Sequence, residues 1–176
     1  MKTLILTMIL VGAAVALASP AAAQSTGKPA DEQFMKDAAS DGTAEVELAR
    51  LAVEKATRPE VKSYAQMLVD DHTRANDELK GLAAQKNVTL PAEPKAEQKA
   101  TRDRLSKLSG AAFDHAYVNA MVTDHQKAVA LFSRESKSGA DPDAKAWAAK
   151  TLPTLEEHHT KAKALATGTP HAEAHD

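Results

Sequence analysis

The chain has 176 residues, enough for one domain with a real core, and a net charge of −2 with both signs mixed throughout. Hydrophobic residues make up 43% and aromatics only 3%; the abundance of Ala, Leu, Lys and Glu over β-branched and aromatic residues points to an all-α protein and away from a strand-built one. The charge balance excludes the basic footprint of a nucleic-acid binder, and the lack of cysteine excludes a disulfide framework, a thiol nucleophile, a thiolate-bound metal and a lipoprotein anchor.

Residues 1–23 read as a signal peptide. Lys2 supplies the positive start, Leu4–Ala18 is an apolar run too short for a comfortable membrane span, and Ala21-Ala22-Ala23 fits a cleavage site before Gln24. The alternative is an uncleaved amino-terminal anchor. No later segment is apolar enough to span a bilayer, so the mature chain, 24 onward, is expected to carry no transmembrane segment. Residues 24–30 are rich in Ser, Thr, Gly and Pro and read as a flexible linker.

A first helix is expected over Asp31–Ala56. At 100° per residue, Phe34, Met35, Ala38, Gly42, Val46, Leu48, Ala49, Ala52 and Val53 share one arc. Glu45 is the one charge at its centre and Asp41 lies at its edge. Thr57-Arg58-Pro59-Glu60 has Thr and Glu at capping-box spacing with Pro in a first turn, so a second helix follows almost at once, over Pro59–Lys86. Val61, Ala65, Leu68, Ala75, Leu79 and Ala83 surround His72 on its apolar face. The two prolines of Asn87–Lys95 break this helix, and Ala96–Leu108 accommodates a short one.

A third long helix is expected over Ala111–Lys137. Asp114, Val118, Met121, Val122, Ala128, Val129 and Phe132 share the face of His125. This helix repeats the second: aligned without a gap, Tyr64, Val69, Asp71, His72 and Ala75 fall on Tyr117, Val122, Asp124, His125 and Ala128. Ser138-Gly139-Ala140 ends it, and Asp141-Pro142 starts a fourth long helix that reaches Ala166, with Trp147, Leu155, Ala162 and Leu165 on the face of His158. Pro153 lies inside this helix and is expected to bend it. Residues 167–176 read as a flexible tail. Four long helices, two tight hairpins and one long connection describe a four-helix bundle over residues 31–166, the connection permitting a ferritin-like crossover.

Each long helix carries one potential ligand near its midpoint: Glu45, His72, His125 and His158. Each lies about 11 to 15 residues from the nearer hairpin turn, and at about 1.5 Å per residue their heights differ by only about 6 Å. Three imidazoles and a carboxylate suit a divalent first-row metal such as Zn, Fe, Mn or Cu. Asp71 and Asp124 each precede a histidine by one residue, about 100° round the helix, placing them to reach an imidazole on a neighbouring helix and fix its tautomer. The competing reading is a metal-free buried layer in which the same groups bond one another and set helix register. Glu156-x-x-His159 has the spacing found in di-iron bundles, but Glu156 faces away and the second helix has no such pair. His115 is off the central face, His171 and His175 fall in the tail, and Tyr64 and Tyr117 read as core residues with no catalytic role.

The segments MLVDDHTRAND, LSGAAFDHAYVNAMVTDHQKAVALF and LPTLEEHHTKAKAL resemble a widespread bacterial family of exported proteins named only as a domain of unknown function in the ferritin-like superfamily. The resemblance covers Asp31 to Leu165. It implies a ferritin-like bundle and a periplasmic or outer-membrane-associated location, and its motif histidines correspond to His72, His125 and His158. It supplies no catalytic function, and the carboxylate-rich pair of Glu-x-x-His motifs of ferritins proper is missing. Two functions stand open: a periplasmic metal-binding protein with a redox or stress-protective role, or a non-catalytic adaptor of the cell envelope acting through its surface on a protein partner.

Overall fold

A computed structural model describes residues 29–168. Its order is α1 (Pro29–Lys55), α2 (Pro59–Gln85), α3 (Ala96–Ser106), α4 (Gly110–Ser138) and α5 (Pro142–Thr167), with no strand among the described residues. The described residues are therefore all-α, with four long helices and a short one in the long connection. Pro29 and Ala30, which composition placed in the expected linker, belong to α1. Proline fits a first helical turn, where its missing N–H has no intrahelical partner to lose, and the next residue is pinned. Asp31 is buried and accepts the backbone N–H groups of Ala140 and Asp141, in the α4–α5 turn. At the other end α5 runs one residue into the expected tail. The expected signal peptide, the cleavage site, His171 and His175 lie outside the described residues.

Three contacts between helix ends give the chain path. The start of α1 meets the α4–α5 turn through Asp31. The α1–α2 turn meets the start of α4, where Asp114 accepts from Thr57 N, Thr57 Oγ1 and Arg58 N. The end of α2 meets the start of α5 through Lys86, which pairs with Asp141 and Asp143. So α1 and α5 run one way and α2 and α4 the other, and the α2–α4 connection travels the length of the bundle. Around the bundle, α1 packs on α2 and α4, and α5 packs on both α2 and α4.

The ends of the helices follow from local chemistry, with one exception. Asp141 caps α5 by accepting from the N–H groups of Asp143 and Ala144, as its place before Pro142 implies. Asn87 closes α2 in the left-handed conformation (φ 56), with Val88 N–H on Ala83 O and Asn87 N–H on Ala84 O, and tucks Val88 into the core. The capping box expected at Thr57–Glu60 does not form. Arg58 is the cap residue of α2 and has no side-chain cap bond, while Thr57 turns its hydroxyl to Asp114. A buried carboxylate from another helix competes better for these donors than an exposed Glu60.

Connecting helix α3 lies along α1. Lys95 pairs with Asp37 at 2.8 Å, Gln98 Nε2 donates to Asp41 at 2.6 Å, and Lys55 donates to Ser106 O at 2.7 Å. Leu105 is fully buried beneath it.

The apolar core is in two parts. One holds Leu48, Val61, Leu68, Leu105, Phe113 and Met121. The other holds Phe34, Met35, Leu79, Phe132, Trp147 and Leu155, with Phe132 5.1 Å from Phe34 and 5.2 Å from Trp147, ring centre to ring centre. On every long helix the potential ligand falls between the two: Glu45 on α1, His72 on α2, His125 on α4 and His158 on α5. A polar layer crosses the middle of the bundle.

Candidate metal centre

His72 and His125 come from the repeated helix, and α2 and α4 run parallel, so equal spacing in sequence puts the two imidazoles at equal height. Their Nε2 atoms are 3.4 Å apart. His158 joins them from α5, with ring centres 5.3 Å from each of the other two. One nitrogen from each ring lies within 4.8 Å of the others, and all three residues are buried. Two nitrogen ligands about 2.0–2.1 Å from one tetrahedral ion stand about 3.4 Å apart. The His72–His125 pair already has that separation.

Partners fix two of the tautomers. His125 Nδ1 donates to the carbonyl of Met121, 3.0 Å away and one turn back, leaving the Nε2 lone pair facing His72. His158 Nε2 lies 3.0 Å from Asp71 Oδ2, so it donates to that carboxylate across the α2–α5 interface. The lone pair of His158 is then on Nδ1, which is buried without a hydrogen-bond partner. A buried nitrogen acceptor with no donor is costly, and a bound ion is one partner that would take its lone pair. The carboxylate–imidazole arrangement is also the one that orients metal-binding histidines.

The three rings are kept neutral, the form that binds metal. Burial, followed by the nearness of His125 and His158, holds His72 well below the ordinary imidazole range. Burial and then His158 push His125 down to about 3. Burial also lowers His158, with Asp71 partly opposing it. Burial works upward on Asp71, but the hydrogen bonds from His158 and Arg74 outweigh it and keep the carboxylate ionised.

Glu45 is brought to the layer but not into the cluster. Its Oε1 lies 4.0 Å from His125 Nδ1, the nitrogen already bonded to Met121, and its Oε2 is buried with no partner. Burial, then the charges of Asp124 and Asp41, push it well above the carboxylate range. Asp124, in the sequence position equivalent to Asp71, pairs with Lys127 at 3.8 Å on its own helix. The difference lies in the neighbour: α5 offers His158 to Asp71, whereas α1 offers carboxylates to Asp124. His115 is exposed and His159 half-buried. Tyr64 donates to the backbone carbonyl of His158 at 3.2 Å, a support for the site. The Tyr117 hydroxyl is buried without a partner among the described residues.

A cavity of about 300 Å³ opens on the three histidines, and Glu45 and Asp124 line it. Its walls include Asp41 of α1, and also Lys95 and Gln98, which bring α3 and the connection before it to the site. The long connection was legible as a break in the helix pattern, but nothing in its own residues pointed to the cavity.

A helical bundle with a buried three-histidine cluster in its central layer is thus the class of molecule. The chain belongs to the family described as a domain of unknown function (DUF4142), whose model matches residues 16–165. No curated protein matches it significantly. Among solved structures it is similar to a DUF305 fragment from Deinococcus radiodurans, with TM-score 0.72 and 16% identity over 81% of this chain and 98% of that one. It is similar to CopM in the Cu(II)-bound form, with TM-score 0.68 and 20% identity over 78% of this chain and 96% of that one. A DUF305 protein from Streptomyces coelicolor whose name calls it secreted matches with TM-score 0.69 and 16% identity, over 84% and 96%. At these identities the likeness is one of fold.

Proposed function

We propose that this protein binds a transition-metal ion through His72, His125 and His158. The observation that carries the reading is the buried, partnerless Nδ1 of His158, on a ring whose Nε2 faces Asp71 and which has a nitrogen within 4.8 Å of one on each of two other buried imidazoles. Among Zn, Fe, Mn and Cu, imidazole donors suit all but manganese best. Copper is favoured, because CopM, a bundle of similar fold, is seen in Cu(II)-, Cu(I)- and Ag-bound forms. Three protein nitrogens leave a coordination position open toward the cavity, as sites that exchange a ligand do. The up-down-down-up path with its long crossover supports a ferritin-like bundle, in which a single ion on the three histidines would stand where a carboxylate-bridged pair stands in di-iron bundles. The protein works outside the cytoplasm in this reading: residues 1–23 direct export, amino-terminal sequencing from the native host begins at Gln24, and no helix among the described residues is long and apolar enough to cross a membrane. Recovery of intact Met1 from the cytosol refutes that part.

The binding test is metal analysis of protein purified without an affinity tag, followed by Cu(II) and Zn titration with thermal melts. A ligand at 100 times its Kd stabilises the fold by about 2.7 kcal/mol. For a fold of this size each kcal/mol moves Tm by about 2–4 °C, so a rise of roughly 5–11 °C is expected. His72→Ala, His125→Ala and His158→Ala each abolish most of that rise. The second reading, a metal-free layer that sets helix register, draws on the 3.4 Å His72–His125 contact. It predicts no retained metal and no metal-dependent rise, with the same variants destabilising chelator-treated protein.

A further inference from the structure

The cavity over the three histidines carries five carboxylates against two lysines, Lys95 and Lys127. Glu45 is held toward its neutral form, so the other four carboxylates outnumber the lysines by two, and such an excess of one sign draws ions of the other. Two of its features go beyond an acidic lining. Glu45 is about nine-tenths buried and lines this cavity, and its Oε2 accepts no hydrogen bond among the described residues. Asn76, one turn beyond His72, makes no hydrogen bond among the described residues, and its amide rests against the backbone of α1 at Gly42. A Cβ at Gly42 would meet Asn76 Oδ1 at 2.1 Å. Glycine inside a helix costs about 0.5–1 kcal/mol relative to alanine, so this position trades helix stability for space in which an oxygen donor lies at the cavity wall.

We infer that Asp41, Glu45, Asn76 and Asp124 form an oxygen-lined vestibule through which divalent cations pass to and from the three histidines. This rests on the metal-binding reading above. Asp41 and Glu45 are one turn apart on α1, Asp124 comes from α4 and Asn76 from α2, so three helices contribute oxygens to one cavity. The four oxygens are not gathered tightly enough to hold an ion, since the cluster able to do so among the described residues is the histidine one. They act as a transient station. Partly hydrated cations exchange water for carboxylate and amide oxygens there, then for imidazole nitrogen deeper in. Oxygen donors bind borderline ions such as Cu(II) more weakly than imidazole does, so the station does not compete with the final site.

The test is stopped-flow loading of metal-free full-length protein with Cu(II), and unloading by a chelator, for wild type, Asp124→Asn, Asp41→Asn/Asp124→Asn and Asn76→Ala. A station on the path lowers the barrier in both directions. The double variant therefore loads and unloads about tenfold more slowly, with a flatter dependence on salt, while its equilibrium affinity stays within about threefold of wild type. Asn76→Ala, which leaves the Asp41–Gln98 bond to α3 intact, slows both rates by a smaller factor. Wild-type rates in the double variant and in Asn76→Ala overturn the inference while leaving the histidine site standing. Faster unloading with unchanged loading also overturns it, because it makes these groups part of the final site. Wild-type protein that takes up no Cu(II) overturns the metal-binding reading itself, and the vestibule with it.

Discussion

Replacing Asp114 with alanine tests how the two hairpins are joined. The carboxylate is buried at the start of α4 and accepts Thr57 N–H at 3.0 Å, Thr57 Oγ1–H at 2.6 Å and Arg58 N–H at 2.9 Å. Hydrogen bonds to a charged group contribute about 1.5–3 kcal/mol each. Thr57 is exposed, so water re-pairs most of its two donors in the variant, while Arg58 is half-buried and recovers less. The expected loss is therefore about 2–4 kcal/mol rather than the full sum, a fall in Tm of roughly 10 °C. Asp114→Asn keeps an acceptor oxygen and loses about half as much. Burial pushes the Asp114 carboxyl up, but the hydrogen bonds from Thr57 and Arg58 outweigh it and hold it below its ordinary value of 3.8. A depressed carboxylate stabilises the fold at all pH values above the unfolded pKa and ceases to as pH falls through the folded one. Urea melts at pH 7 should thus separate wild type from Asp114→Ala, and the gap should narrow by about half as pH falls below 3.8, because the protonated carboxyl still accepts these donors as Asn does. A loss under about 0.5 kcal/mol, or a gap that does not narrow in acid, refutes the account of Asp114 as the cap of α2.

Leu68 is fully buried in the core part below the histidine layer, so Leu68→Ala should cost about 2–5 kcal/mol in denaturant melts while leaving metal uptake intact. In metal-free protein the histidines impose an acid limb. His72, His125 and His158 all bind protons less readily than the free imidazole at 6.5, so below that pH the unfolded chain takes protons that the fold refuses, and stability declines toward about 3, the value for His125. Glu45, shifted upward, acts in the opposite sense, losing its contribution as pH rises above 4.5. His125→Gln should flatten the acid limb in melts between pH 6.5 and 4. Pro153→Ala should weaken metal binding less than His158→Ala, read by titration, since α5 continues through Pro153 and the histidine is held by Asp71.

How much of this was legible in the sequence depended on whether the cause was local. Helix period and punctuation located all five helices, because Pro59, Pro142 and the break at Asn87 act on their own turns. The same periodicity placed His72, His125 and His158 on buried faces. A helical wheel gives the direction in which a side chain leaves its helix but not what it meets. Glu45 shares its arc with Leu48, yet it stands beside His125 rather than among the three rings. Asp71 and Asp124 have identical offsets in the repeat, and only the neighbouring helix separates their partners. The capping of α2 was misread for the same reason. Thr57 and Glu60 carry a local signature, but the acceptor that Thr57 takes is 57 residues away in sequence. The cavity was least legible, since Lys95 and Gln98 reach it from a connection whose path no periodicity describes.

The three histidines are unevenly divided between the halves of the chain. His125 and His158 belong to the α4–α5 hairpin, and His72 alone comes from the α1–α2 hairpin. A bound ion would therefore clasp one hairpin to the other, across an interface whose middle is polar. Opening that interface would break the His72 bond first, so release of the ion and separation of the hairpins would become one event. Hydrogen exchange should then show metal slowing the joint opening of the two halves, with little effect on fraying within either hairpin. A loosened bundle would shed its cargo, and an empty one would be the easier to pull apart.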